Sequence, residues 1–204
     1  MSVIPILEPR QLPKTFDQDP NWVTLIAQSH SPELQAERSV QISGPDRAAL
    51  QELGVPILLP SFLPPDTYLS DVIVETEFDF KGYTLYYRYF TSDTAIATCF
   101  QIEYSEGGFG GPVPPNSQPL TTPAMASAGI PYNLYWVEEQ DFSNQDSPFL
   151  SGTVFSDWIE VPGVQGSYRL SSGLIESELV RACNWIDPEM AALIVSSLEA
   201  LKSD

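Results

Sequence analysis

Apolar and polar positions change period twice along this chain. Up to Gly54 the apolar residues fall in short helical stripes. Trp22, Val23, Leu25 and Ile26 form one, and Asp19-Pro20 before them supplies a helix cap followed by proline at the first helical position. Ser31-Pro32-Glu33 restarts a helix, and Pro45 to Leu53 predicts another, with Gly54 as its stop. Residues 1–18 are punctuated by proline and read as an extended arm.

From Val55 the period falls to two. The run VPILLPSFLPP, pinned by Pro56, Pro60, Pro64 and Pro65, predicts a buried connecting strand. Residues 67–79 set Val72, Val74, Thr76 and Phe78 against Ile73, Glu75, Glu77 and Asp79. Lys81-Gly82 is a turn, and residues 83–91 are almost all aromatic or β-branched. After a turn at Ser92-Asp93, residues 94–105 place Ile96, Thr98, Phe100, Ile102 and Tyr104 on one face. These segments predict an antiparallel meander. Residues 106–129 are rich in glycine and proline and predict a long loop without regular structure. Strands are expected again over 130–139, 151–161 and 167–171.

The helical period returns after residue 173. Leu174 to Asn184 carries Leu174, Ile175, Leu179 and Val180. Asp187-Pro188 opens a last helix whose Met190, Leu193, Ile194, Ser197, Leu198 and Leu201 recur at helical spacing. The expected fold is α+β: a curved, mostly antiparallel sheet of about six or seven strands with N- and C-terminal helices packed on one face. Residues 1–54 form an N-terminal arm and helices, and residues 55–204 a sheet domain with C-terminal helices, the two making one compact unit.

Charge narrows the partners. The chain carries 27 acidic against 9 basic residues, a net charge of -18. Such a surface repels phosphate backbones and anionic lipid headgroups, so nucleic acid is not an expected partner. No stretch approaches the about 18–20 apolar residues of a membrane span. The N-terminus is broken by Pro5, Glu8, Pro9 and Pro13 and lacks the order of a secretory signal, so a soluble, cytoplasmic protein is expected. Cys99 and Cys183 lie far apart with no CxxC spacing. Two buried free thiols are the expectation, and a disulfide from a strand to the C-terminal helix the alternative.

Candidate chemistry is sparse. The single histidine, His30, sits between two serines and excludes most histidine-based metal sites and hydrolase triads. Glu75, Glu77 and Asp79 alternate as the solvated side of a strand does. Asp141, Asn144 and Asp146 lack the D-x-D-x-D-G spacing of a calcium loop. The glycines from Gly107 to Gly111 are followed by prolines instead of a Lys-Ser/Thr and a helix, so they do not read as a phosphate loop. No G-x-S-x-G elbow occurs. No catalytic residue, metal or cofactor is expected.

The aromatic residues carry the positive signal. Tyr83, Tyr86, Tyr87, Tyr89 and Phe90 crowd one strand, so both of its faces hold rings. Tyr132, Tyr135 and Trp136 do the same on a later strand, and Phe109 sits in the glycine-rich loop. One set must be core. The other, Tyr86 with Phe90 or else Tyr83, Tyr87 and Tyr89, is free to meet a partner, as tyrosine and tryptophan do at interfaces.

LPSFLPPDTYLSDV resembles the opening of a bacterial domain of unknown function in which a P-x-x-L-P stretch precedes a hairpin. Trp158, the turn through Pro162 to Gly166, SYRLSSGLIESELVRACNWI and the final VSSLEAL resemble that domain's closing strand and helices. Such domains look related to lipoprotein-carrier and sigma-factor-regulator folds. Over residues 55–201 the resemblance implies a curved antiparallel sheet wrapped over helices, with an apolar groove and no catalytic residues. The expected function is therefore non-enzymatic: an aromatic sheet face with an acidic rim that binds a basic protein partner in an assembly or chaperone-like role. Two other readings stay open, a carrier of an apolar small molecule or lipid and a carboxylate-dependent hydrolase.

Overall fold

A computed structural model describes residues 42–76, 81–91, 96–107, 113–120, 132–138, 152–161, 164–172 and 183–201. The expectations for residues 1–41, for His30, for Phe109, for the Asp141 loop and for the helical stretch from Leu174 to residue 182 lie outside the described residues. No helix among the described residues is long and apolar enough to cross a membrane.

The first described element is α1 (Gly44–Glu52), where the sequence places it. The Ser43 hydroxyl accepts the Asp46 N–H at its start, and Gly54 follows its end with φ 67. Next come β1 (Leu58–Pro60), β2 (Tyr68–Glu75), β3 (Gly82–Tyr89) and β4 (Thr98–Ser105). Pro65 and Asp66 make the turn into β2, with the Thr67 N–H reaching the Pro64 carbonyl at 3.3 Å. Asp66 takes φ 58, a left-handed conformation that aspartate tolerates. β2, β3 and β4 pair antiparallel in chain order, which is the expected meander.

The remaining strands are β5 (Asn116–Leu120), β6 (Tyr132–Trp136), β7 (Val154–Ser156), β8 (Ile159–Glu160) and β9 (Ser167–Ser172). Then α2 (Pro188–Ser196) and β10 (Leu198–Ala200) close the described chain. The main sheet runs β2-β3-β4-β9-β7-β6-β5, with β8 beside β9, and β1 pairs with β10 in a separate ribbon.

Three expectations change here. The sheet has eight strands among the described residues, not six or seven. Two differences of segmentation account for the gain. β5 lies inside the stretch read as irregular loop, where Pro119 sits on an edge strand that tolerates a missing N–H. Residues 151–161 break at Asp157 into β7 and β8. The last helix, in turn, stops at Ser196. Ser197 donates its hydroxyl to the Ile194 carbonyl at 2.8 Å and accepts the Phe62 N–H at 3.0 Å, so it ends the helix and steers the chain onto β1. Leu198 then faces Pro60, and Ala200 faces Leu58. Finally, Cys99 and Cys183 form a disulfide instead of two free thiols. Asn184 exchanges backbone hydrogen bonds with Ala97 and Cys99, which brings Cys183 over the start of β4.

One buried cluster joins these parts. Tyr83, Leu85 and Tyr87 of β3, Phe100, Ile102 and Tyr104 of β4, Tyr168 and Leu170 of β9 and Leu134 of β6 lie in it. Leu50 of α1 and Ala191, Ile194 and Val195 of α2 belong to the same cluster. Its tyrosines are anchored as well as buried. Tyr83 accepts the Leu58 N–H at 2.9 Å, and Tyr168 donates to the Pro56 carbonyl at 2.8 Å. The two hydroxyls hold β1, and through it β10, against the main sheet. Tyr104 donates to the Gln165 carbonyl at 2.6 Å, and Tyr132 accepts the Glu160 N–H at 3.1 Å. Buried tyrosine is favourable where its hydroxyl finds such a partner.

Candidate functional site

A strand shows alternate residues to opposite faces, so the core assignment fixes the other face. Along β3 the core takes Tyr83, Leu85, Tyr87 and Tyr89. Thr84, Tyr86 and Arg88 then point the other way. Register carries that outer face across the sheet in one row: Asp71 opposite Tyr86, Tyr86 opposite Gln101, Gln101 opposite Ser171, Ser171 opposite Phe155, and Phe155 opposite Tyr135. A second row runs Ile73, Thr84, Glu103 and Arg169.

The middle of this face is a fixed polar cluster. Arg169 donates to Glu103 Oε2 at 2.9 Å, while Gln101 Nε2 and the Ser171 hydroxyl donate to Glu103 Oε1. The guanidinium lies over the Trp158 ring, 4.4 Å from its centre, a cation–π contact that orients the fork. Gln101 Oε1, Arg169 Nε and Trp158 Nε1 are buried there without a hydrogen-bond partner among the described residues. Farther along, Asp157 Oδ2 accepts the Asn133 N–H at 2.7 Å and the Tyr135 hydroxyl at 3.4 Å. Both oxygens of Glu103 are engaged, so this carboxylate serves as a rigid acceptor across β4 and β9.

The edge of the face is different. Tyr68, Ile73 and Phe90 are 42%, 38% and 50% exposed, high for large apolar side chains, and the exposed Asp71 and Glu75 share β2 with the first two. Tyr86 lies half-buried beside them. Burial raises its pKa, and the negative fields of Glu103, Asp71 and Glu75 raise it further. Tyr135 is raised by burial and then by Asp157. Arg88 faces Tyr68 at the start of β2, so the acidic half of the edge runs from Asp71 to Glu75.

The residues singled out in the sequence divide accordingly. Tyr83, Tyr87, Tyr89 and Tyr132 are buried in the core, and Trp136 packs against its margin. Tyr86 and Tyr135 lie on the outer face, and the exposed Phe90 follows the end of β3. Phe109 lies outside the described residues. Sequence reasoning gave no site role to Glu103, Arg169, Gln101, Ser171 or Trp158. A signal was present: Glu103 is the single charge in TCFQIEYS and Arg169 the single charge in SYRLSS. A lone acid and a lone base in two otherwise uncharged strands are candidates to pair. Among the described residues no group of three or more histidine, cysteine or acidic side chains could hold a metal ion. No protein-family model, curated protein or solved structure matches this chain.

Proposed function

We propose that this chain is a non-enzymatic binding protein that docks a basic protein partner on the outer sheet face, at its β2–β3 end. The carrying observation is the run of exposed Tyr68, Asp71, Ile73 and Glu75 along β2 beside Tyr86, with exposed Phe90 just past the end of β3. Apolar anchors with charges beside them give an interface its affinity and its selectivity respectively. The fixed Glu103 cluster stiffens the platform behind them. With both oxygens already accepting from Arg169, Gln101 and Ser171, its carboxylate favours a structural role over acid–base chemistry.

Side chains such as Tyr83, Phe100, Tyr168 and Leu170 fill the core side, with the helices over it. That favours the outer face over the groove of an apolar carrier. The Cys99–Cys183 bridge favours an oxidising compartment over the cytoplasm expected from the sequence.

The test compares the full chain with a Tyr68→Ser, Ile73→Ser, Phe90→Ser variant, each immobilised and exposed to lysate at about 0.15 M and about 0.5 M salt, where screening shortens from about 8 Å to a few ångströms. A basic partner held by the natural chain at low salt, and lost both at high salt and with the variant, supports the reading. Retention of the same partners by the variant overturns it.

A further inference from the structure

The two edges of the main sheet are not alike. β5 is five residues long and carries Pro119. Those are the features that blunt an edge. β2 is eight residues long and has no proline. Among the described residues no strand pairs with it on the side away from β3.

Which backbone groups face that open side follows from the ladder. The Cys99 N–H bonds the Asn184 carbonyl, away from β3. Main-chain groups alternate sides along an antiparallel strand. Residues 100, 102 and 104 of β4 therefore bond β3, residues 84 and 86 of β3 bond β2, and Asp71 and Ile73 receive them. Val72 and Val74 are left pointing outward. The Val72 N–H donates to the Asp71 carboxylate at 2.9 Å and not to β3, in line with this alternation. The Val72 carbonyl and both backbone groups of Val74 face the open edge.

We infer that β2 accepts an extended basic segment of a partner protein as an added antiparallel strand. This rests on the docking reading above and names its mode. The strand would bond Val72 and Val74, and set its own outer-face side chains beside Asp71, Ile73 and Glu75. The matching sequence is basic-x-apolar-x-basic, with β-branched residues at x to continue the surface of Val72 and Val74. Charge selects the occupant. A second copy of β2 would bring Asp71 and Glu75 against their own kind, in a chain of net charge -18. The same acids that block self-pairing attract a basic strand.

The probe is a fluorescent capped peptide, Gly-Ser-Lys-Val-Ile-Val-Lys-Ser-Gly, titrated into the full chain and read by anisotropy. Two further peptides carry N-methyl groups, one on both valines and one on the isoleucine. Paired with β2, the valine amides face the strand and the isoleucine amide faces water. N-methylation of the valines is expected to weaken binding by about tenfold or more, and of the isoleucine by less than about twofold. Asp71→Asn with Glu75→Gln is expected to weaken the unmodified peptide several-fold.

Equal binding by all three peptides overturns strand addition and leaves surface docking standing. Absence of binding by the unmodified peptide overturns it also. Unchanged affinity in the doubly neutralised variant overturns the charge selection. Failure of the docking reading itself is read separately, from partner retention by the Tyr68, Ile73, Phe90 variant.

Discussion

The Tyr83 hydroxyl accepts the Leu58 N–H at 2.9 Å, joining two residues 25 positions apart in a fully buried setting. Tyr83 stands in the middle of the sheet core, and Leu58 begins the ribbon that holds the C-terminal strand. Tyr83→Phe keeps the ring and removes the acceptor, leaving a buried N–H unpaired. The expected loss is about 1–3 kcal/mol of unfolding free energy, measured by urea titration. A change below about 0.5 kcal/mol would mean that water or relaxation replaces the contact.

The buried tyrosines set an alkaline limit. Burial raises Tyr83 well above its ordinary value, Tyr168 is raised by burial and by Tyr104, and burial pushes Tyr89 up to about 12. Each is neutral when folded and ionises near pH 10 when unfolded. Their contribution is whole below about pH 10. Above it the unfolded chain releases protons that the folded chain still holds, so stability falls as pH rises toward the folded values. Urea midpoints are expected to drop steeply between about pH 10 and 12, with the tyrosinate absorbance of the buried rings appearing together with unfolding. A flat midpoint over that window would show these hydroxyls to be accessible.

Reduction of Cys99–Cys183 opens a bridge between residues 84 positions apart. Loop-closure entropy for that length gives about 4–5 kcal/mol, and measured bridges more often give about 2–4 kcal/mol. Cys99→Ala with Cys183→Ala is expected to lower the thermal midpoint and to abolish its response to reductant. An unaltered midpoint in the natural chain under strong reductant would show that the backbone bonds of Asn184 to Ala97 and Cys99 suffice.

Glu103 and Arg169 have side chains only 15% and 21% exposed. Arg169→Met strands a largely buried carboxylate, which costs about 3 kcal/mol or more. Glu103→Leu with Arg169→Met removes both charges, and is expected to recover most of that loss. A double-mutant cycle by urea unfolding reads the coupling. Additive losses would place the carboxylate's support in Gln101 and Ser171 alone.

The elements legible in the sequence are those whose signal is local. Alternation in 67–105 specified the meander of β2, β3 and β4, because a strand's period of two is written residue by residue. Pro45, and Asp187 with Pro188, marked two helix starts, since both signals act within the first turn. The alternation also divided the rings of β3 into Tyr83, Tyr87 and Tyr89 on one side and Tyr86 with Phe90 on the other.

Which of those sides became core was settled by tertiary structure. Both sides carry rings, and the side that packs with Leu50 of α1 and Ile194 of α2 became core, with Tyr83 anchored to Leu58 and Tyr168 of β9 to Pro56. The same holds for Leu198. Its spacing continues a helix, yet antiparallel pairing with Pro60 draws it into a strand, because partners in β1 satisfy backbone groups that a frayed last turn would leave to water. Glu103 and Arg169 stand 66 residues apart, as separate charges in separate strands, until β4 lies beside β9. The chain by itself determined periods, caps and the sign of its field. Long-range pairing decided the inner face, the bridged cysteines and the edge left open among the described residues, because each depends on residues that meet only when the sheet closes.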